Sequence, residues 1–217
     1  MRRAGWAALL TPPAVAVTVT VLVATDESQS VSNAFGLLEM MTPLVAGVGA
    51  ASLVGRDRAA ELQLTLPTPY RATLLRRLAV ALGWTVLVAV LVAATLVLGG
   101  WWTRWPHNHG PLVGQLIWLA PMLCLGGLGF LAAAVCRGPA AASGVVAICW
   151  LGQQLFADAI QVRWWGRLVY LFATTRGTER SDWAANRSTL LAAALVLAAA
   201  AWLVLGRTER LVHEEGE

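Results

Sequence analysis

Lysine is absent from this chain of 217 residues, and charge of either sign is scarce, with 13% of residues charged and arginine supplying every fixed cation. A soluble domain carries about 25% charged residues, so the chain lacks the means to coat a water-facing surface. Cysteine is nearly as rare. Cys124, Cys136 and Cys149 are odd in number, lie inside apolar runs and show neither CxxC nor Cys/His spacing, which excludes a disulfide framework and a cysteine-based metal site. Catalytic signatures are missing too: there is no HExxH, no GxSxG and no Walker A phosphate loop, so the sequence carries no recognisable metalloprotease, serine hydrolase or nucleotide-hydrolysing chemistry.

What is there is apolar. Hydrophobic residues make up 58% of the chain and mean hydropathy is +0.64, more apolar surface than one soluble core could hide. The formal net charge of +4 could point to nucleic acid in a soluble protein. Here, however, the arginines flank long apolar runs, as membrane-edge charges do, and no nucleic-acid partner is expected.

A spanning helix needs about 20 apolar residues, because the hydrocarbon layer is about 30 Å thick and each residue rises about 1.5 Å. That ruler predicts an all-α polytopic membrane protein, one transmembrane domain over residues 1–217, with six transmembrane helices near residues 7–25, 34–54, 78–101, 112–135, 139–157 and 189–206. The first run is followed directly by another span and lacks a small-residue cleavage site, so it is expected to remain as a membrane helix. With the N-terminus cytoplasmic, ten arginines fall inside (Arg2, Arg3, Arg56, Arg58, Arg71, Arg76, Arg77, Arg137, Arg207 and Arg210). Six fall outside: Arg104, Arg163, Arg167, Arg176, Arg180 and Arg187. The excess inside predicts that both termini are cytoplasmic.

Between the fifth and sixth runs, residues 158–187 are not a plain loop. Ile160, Trp164, Leu168 and Leu171 recur at helical spacing, with Gln161, Arg163 and Arg167 on another face. This predicts a short interfacial or re-entrant helix before the last span, helped by the interface-seeking rings of Trp165, Tyr170, Phe172 and Trp183. Gly47, Ala51 and Gly55, together with Gly126, Gly127 and Gly129, predict close helix approach. Pro12, Pro13, Pro43 and Pro121 predict kinks or breaks. Membrane-buried ionisable residues are nearly absent: Glu39 and Asp158 sit near span ends, where an interfacial role is expected, and this counts against a proton-driven antiporter. His107-Asn108-His109 has no third ligand and reads as a solvated turn. Asp158, Glu179 and Asp182 on the outer side form no recognisable acid/base or metal constellation.

The exception to this greasy pattern is "RDRAAELQLTLPTPYRATLLRRL", residues 56–78, on the inner side between the second and third spans. Pro67 ends a first element, for which a helix is expected, while Thr68 caps and Pro69 starts a second element that runs from Tyr70 into the third span. Leu62, Leu64 and Leu66 beside charges fit two fates, an amphipathic helix in lipid headgroups with Arg71, Arg76 and Arg77 near phosphates, or a surface docked into another protein.

The order R-x-R-x-x-E-L-x-L-x-L-P-x-P followed by R-x-x-L-L-x-R-x-L, between the second and third spans, resembles the permease subunits of ABC-2-type transporters. The tail "DWAANRSTLLAAALVL…GRTERLV" resembles the last span and exit of bacterial members. The resemblance implies that the segment over residues 56–77 is a coupling elbow seated in a groove of a separate cytosolic ABC ATPase, present in two copies. Arg58, Glu61, Leu62, Leu64, Leu66, Pro67, Tyr70 and Arg71 would then be the ATPase contact. It further implies that the chain is not itself an enzyme, that ATP and Mg belong to the partner, and that a second permease chain, identical or related, completes the transporter in a bacterial-type cytoplasmic (inner) membrane. Trp84, Gln115, Trp118, Gln153 and Gln154 are the polar and aromatic residues nominated for the path of a small or amphipathic exported substrate. The alternative is a non-transporting membrane anchor or regulatory protein that recruits a cytosolic partner through residues 56–77.

Overall fold

A computed structural model describes residues 30–53, 70–105, 109–136, 138–176 and 181–214, besides Ala14. The first expected span, residues 7–25 apart from Ala14, and the elbow over residues 56–69 therefore lie outside the described residues. Among the described residues there are helices and turns and no strand. The helices are α1 (Ser30–Ala51), α2 (Tyr70–Leu98), α3 (Trp101–Arg104), α4 (Leu116–Cys136, led in by a 3₁₀ turn, Val113–Gln115), α5 (Pro139–Leu155), α6 (Ala157–Gln161), α7 (Trp164–Val169) and α8 (Trp183–Glu214).

Four of these are long and apolar enough to cross a membrane, over Ser32–Ala51, Arg71–Leu98, Val113–Cys136 and Trp183–Gly206. The protein is thus an all-helical chain with the character of a multi-pass membrane protein. The expected fifth span is helical, but α5 has 17 residues, which gives a length of about 26 Å, short of a hydrocarbon layer of about 30 Å. The last span starts earlier than residue 189, because α8 begins at Trp183. α1 and α4 continue through Pro43 and Pro121 instead of ending there.

α4 is the hub. α1 packs along one side of it and α8 along another, and both pack on α4 far more extensively than on each other. Glycine makes this possible. A Cβ on Gly129 would collide with the Gly47 carbonyl of α1, and one on Gly127 would stand 3.1 Å from the Ala194 carbonyl of α8. With little hydrophobic drive between helices in lipid, such backbone contact is what dispersion needs. The small residues singled out in the sequence therefore do meet, Gly47 and Ala51 against Gly129.

Two cores mark the two ends of the bundle. At one, Phe35 stacks on Trp105 with ring centroids 4.3 Å apart and meets Trp102 edge-on at 4.9 Å, within a cluster that includes Trp118 and Trp183. At the other, Leu74 and Leu78 of α2 join Phe130, Ala201 and Leu205. We call these the tryptophan end and the arginine end, since Arg71, Arg76 and Arg77 start α2 at the latter. α1, α4 and α8 run from the tryptophan end to the arginine end, and α2 and α5 run the opposite way. After α2 the chain turns at Gly100, whose φ of 71° lies in the left-handed region that glycine adopts without penalty.

Candidate functional site

α1 contributes one acid, Glu39, about 10 Å along the axis from Ser32; α8 contributes Trp183, Asn186 and Arg187 within its first two turns. Between them comes the turn 171–176, which follows α7. These parts converge into a buried polar site at the tryptophan end. Glu39 is 0% exposed and Arg187 1%, and Arg187 Nη2 donates to Glu39 Oε1 and to Thr174 Oγ1. Arg187 Nη1 donates to the Leu171 carbonyl at 3.2 Å.

The carboxylate is saturated from the other side. The backbone N–H of Thr174 donates to Glu39 Oε1 at 3.1 Å, and both the N–H (2.9 Å) and the hydroxyl of Thr175 donate to Oε2. Trp183 Nε1 donates to Thr174 Oγ1 at 3.0 Å, while the Trp183 ring lies 5.7 Å from the Arg187 guanidinium. Removing two charges from water costs several kcal/mol each unless their hydrogen-bonding capacity is filled. Here each carboxylate oxygen accepts two hydrogen bonds, Oε1 from Arg187 and Thr174 and Oε2 from Thr175, while Arg187 Nε has no partner among the described residues.

A second set of polar side chains ties down the irregular backbone that leads into this turn. Asn186 Nδ2 donates to the carbonyls of Arg167 (2.7 Å), Tyr170 (2.8 Å) and Leu168 (3.1 Å). Gln153 of α5 accepts from the Leu171 N–H at 2.7 Å and donates to the Val169 carbonyl at 3.2 Å. Tyr170, Leu171 and Phe172 are themselves buried and pack with Ala120, Leu125 and Leu190. Non-helical backbone this deep among apolar helices needs every carbonyl and N–H satisfied by protein, and Asn186, Gln153, Arg187 and Glu39 divide that task.

Sequence reasoning missed this site. The sequence places Arg187 in an outer segment and Glu39 near the interface, whereas α8 carries Arg187 inside the bundle, where it pairs with Glu39. The visible signal is one acid a few residues inside one apolar run, Glu39 in 34–54, and one base just before another, Arg187 ahead of 189–206. The single helix expected across Ile160, Trp164, Leu168 and Leu171 is also corrected. It breaks at Arg163, whose backbone is extended (φ −97°, ψ 133°), because α6 and α7 fold against each other with Gly166 on the Ile160 carbonyl. Asp158 is exposed, Asp182 pairs with Arg167 at 3.2 Å, and Glu179 lies outside the described residues. His109 is not simply solvated, since its ring stacks on Trp183 at 3.8 Å.

The nominated path residues are dispersed. Trp84 is on the outer face of α2; Gln115 accepts from Trp118 Nε1 at 3.0 Å, with Trp118 sealed in the tryptophan core; Gln153 holds the re-entering backbone; Gln154 is half-buried beside it. Of the nominated ATPase contacts, Arg58, Glu61, Leu62, Leu64, Leu66 and Pro67 lie outside the described residues. Tyr70 begins α2, and Arg71 is turned onto the bundle's own last helix, 4.7 Å from the Trp202 ring. Among the described residues no group of three or more His, Cys, Asp or Glu could hold a metal. Compared with protein-family models, curated proteins and solved structures, the chain matches none.

Proposed function

We propose that this chain is the membrane permease subunit of an ATP-driven exporter of the ABC-2 type. In this reading the arginine end is cytoplasmic and the tryptophan end external. Residues 7–25 and 139–157 complete six spans, and the elbow over residues 56–77 receives the push of two cytosolic ABC ATPase subunits that hold ATP and Mg. A second permease chain pairs with this one in a bacterial-type cytoplasmic membrane to enclose the path of a small or amphipathic substrate.

The observation that carries the reading is the junction at Tyr70. In the sequence, Pro67-Thr68-Pro69 comes directly before one unbroken helix, Tyr70–Leu98, with three arginines in its first eight residues and an apolar run behind them. A force applied to residues 56–69 would enter the bundle directly through α2. Supporting it, the ten-to-six excess of arginine that the sequence assigns to the side of the N-terminus and of residues 56–77 is the cytoplasmic signature, and the turn 171–176 before α8 is held in the bundle at the opposite end.

The test is copurification of the tagged chain from its native membrane. A Walker A ATPase is expected in the complex, lost in Leu64→Asp while the permease stays inserted. Equal recovery of the ATPase with Leu64→Asp, at unchanged turnover, overturns the coupling assignment. A cytosolic partner without a Walker A loop favours the anchor reading instead.

A further inference from the structure

α5 carries an apolar row on its outward side, Val145, Ile148, Leu151 and Leu155, all exposed. Its 17 residues reach only about 26 Å. Phe156 ends the helix (φ −106°, ψ 25°), and α6 and α7 then form an elbow at the tryptophan end whose corner is the extended Arg163. Close approach of Gly166 to the Ile160 carbonyl keeps the two limbs together.

This α6–α7 elbow is polar on the inside and apolar on the outside. Toward the bundle, Gln161 Nε2 donates to the Arg176 carbonyl at 3.2 Å, Gln153 holds the Val169 carbonyl, and Asn186 gathers those of Arg167 and Leu168. Away from it, Val162 is 83% exposed, Trp164 69% and Trp165 52%. Other tryptophans at the same end belong to the core, Trp102 and Trp118 being buried. A water-facing elbow would show the reverse arrangement, with its polar side chains outward and its large apolar ones covered.

From this placement we infer that the α6–α7 elbow is a lipid-binding surface, lying along the membrane with Val162, Trp164 and Trp165 seated at the headgroup–acyl boundary of the leaflet at the tryptophan end. Two observations select lipid as the occupant. The apolar side of the elbow continues the outward row of α5 through Leu155 and Phe156, both exposed, so one surface faces one solvent. Indole rings, with an apolar body and a single N–H donor, suit that boundary, and the Arg163 guanidinium beside them reaches phosphate there. Depth is set by charge. Asp158 and Arg163 are both exposed, and an exposed charge is too costly in hydrocarbon, so the elbow lies on the boundary and does not dip through it. The inference rests on the membrane-spanning character of the bundle and is independent of the permease reading.

Nitroxide labels on single cysteines read this depth, in the full chain freed of Cys124, Cys136 and Cys149 and reconstituted in vesicles of phosphatidylcholine and phosphatidylglycerol. At Val162→Cys and Trp165→Cys the label is expected about 5–10 Å below the phosphates, relaxed by oxygen more than by a water-soluble nickel chelate. At Asp158→Cys and Arg163→Cys it is expected at phosphate level and open to the chelate. Equal chelate access at all four positions overturns the proposal in favour of water. Exclusion of both reagents from Val162→Cys and Trp165→Cys overturns it in favour of a protein cover, a second copy if the labels broaden one another's spectra. A label at Arg163→Cys deeper than about 10 Å makes the elbow re-entrant and overturns it as well. Should the labelled variants not fold, the wild-type chain is irradiated in the same vesicles carrying a phospholipid with a diazirine high in its acyl chain. Cross-links are expected over residues 155–165 and not over residues 120–130 of α4, and their absence from 155–165 overturns the proposal. An elbow in lipid with no copurifying ATPase sinks the permease reading alone, whereas an ATPase with a water-exposed elbow sinks the lipid surface alone.

Discussion

Arg187 and Glu39, 148 positions apart in the chain, are joined in a buried ion pair in which neither side chain is more than 1% exposed. The pair draws α1 and α8 together at one end, though along their lengths each leans on α4 instead. Buried pairs of this kind are weak sources of net stability but strong determinants of register, and several outcomes follow from that asymmetry.

Arg187→Met would strand a carboxylate among apolar helices and is expected to cost about 3–5 kcal/mol, the magnitude typical of a broken buried pair. Glu39→Gln/Arg187→Met removes the stranded charge and keeps one carbonyl oxygen to accept from either the Thr174 or the Thr175 amide, so it should cost less than Arg187→Met alone. Thermal unfolding in detergent checks this, and a double variant that loses the sum of the two single losses would refute it.

Gly129→Ala is expected to destabilise the bundle by about 1–3 kcal/mol, because the added methyl meets the Gly47 carbonyl and the helices must part. Gly83→Ala, in a helix position with nothing within 4 Å of the new Cβ, should instead be neutral or gain about 0.5–1 kcal/mol of helix propensity. Opposite signs in one melting series support the close-contact account. Equal effects would contradict it.

Burial pushes the Tyr170 phenol up from 10.0 to about 12, with Glu39 and Asp158 adding to the rise and Arg176 opposing it. The folded state then holds the proton more tightly than the unfolded state. Stability from this group is intact below pH 10 and is lost as pH climbs from about 10 to 12. The hydroxyl has no hydrogen-bond partner among the described residues, so Tyr170→Phe should fold at least as well at neutral pH and flatten the alkaline decline. A steep, unchanged decline in Tyr170→Phe would assign it elsewhere.

In a cysteine-free background, a cysteine at Thr65 is expected to react with impermeant thiol reagents only from the cytoplasmic side, and one at the exposed Arg163 only from the outside. Labelling of both from one side would invert or dismantle the proposed topology.

Asn186→Ala removes three backbone contacts of one amide. Leaving the carbonyls of Arg167, Leu168 and Tyr170 short of a donor should cost about 1–3 kcal/mol, with the loss of hydrogen-exchange protection confined to residues 167–176. Uniform loss through α4 would argue against a local role.

Composition alone determined the all-helical, membrane-compatible character of the chain, because 58% hydrophobic residues with no lysine leave few other ways to satisfy the backbone. Periodicity and length located α1, α2, α4 and α8 to within a turn or two. Glycine spacing marked α1 and α4 as places of close helix approach, since the absence of a side chain is a local property readable at its own position, but not that each would be the other's partner. Tertiary structure alone decided that Glu39 and Arg187 are partners, that α8 begins early enough to carry Arg187 into the bundle, that the 158–187 segment breaks at Arg163, and that Arg71 faces Trp202. Each of these depends on which helices become neighbours around α4. A charge or an irregular turn in an apolar setting is tolerable only where a distant residue completes its hydrogen bonds, and no local pattern records where that residue will be.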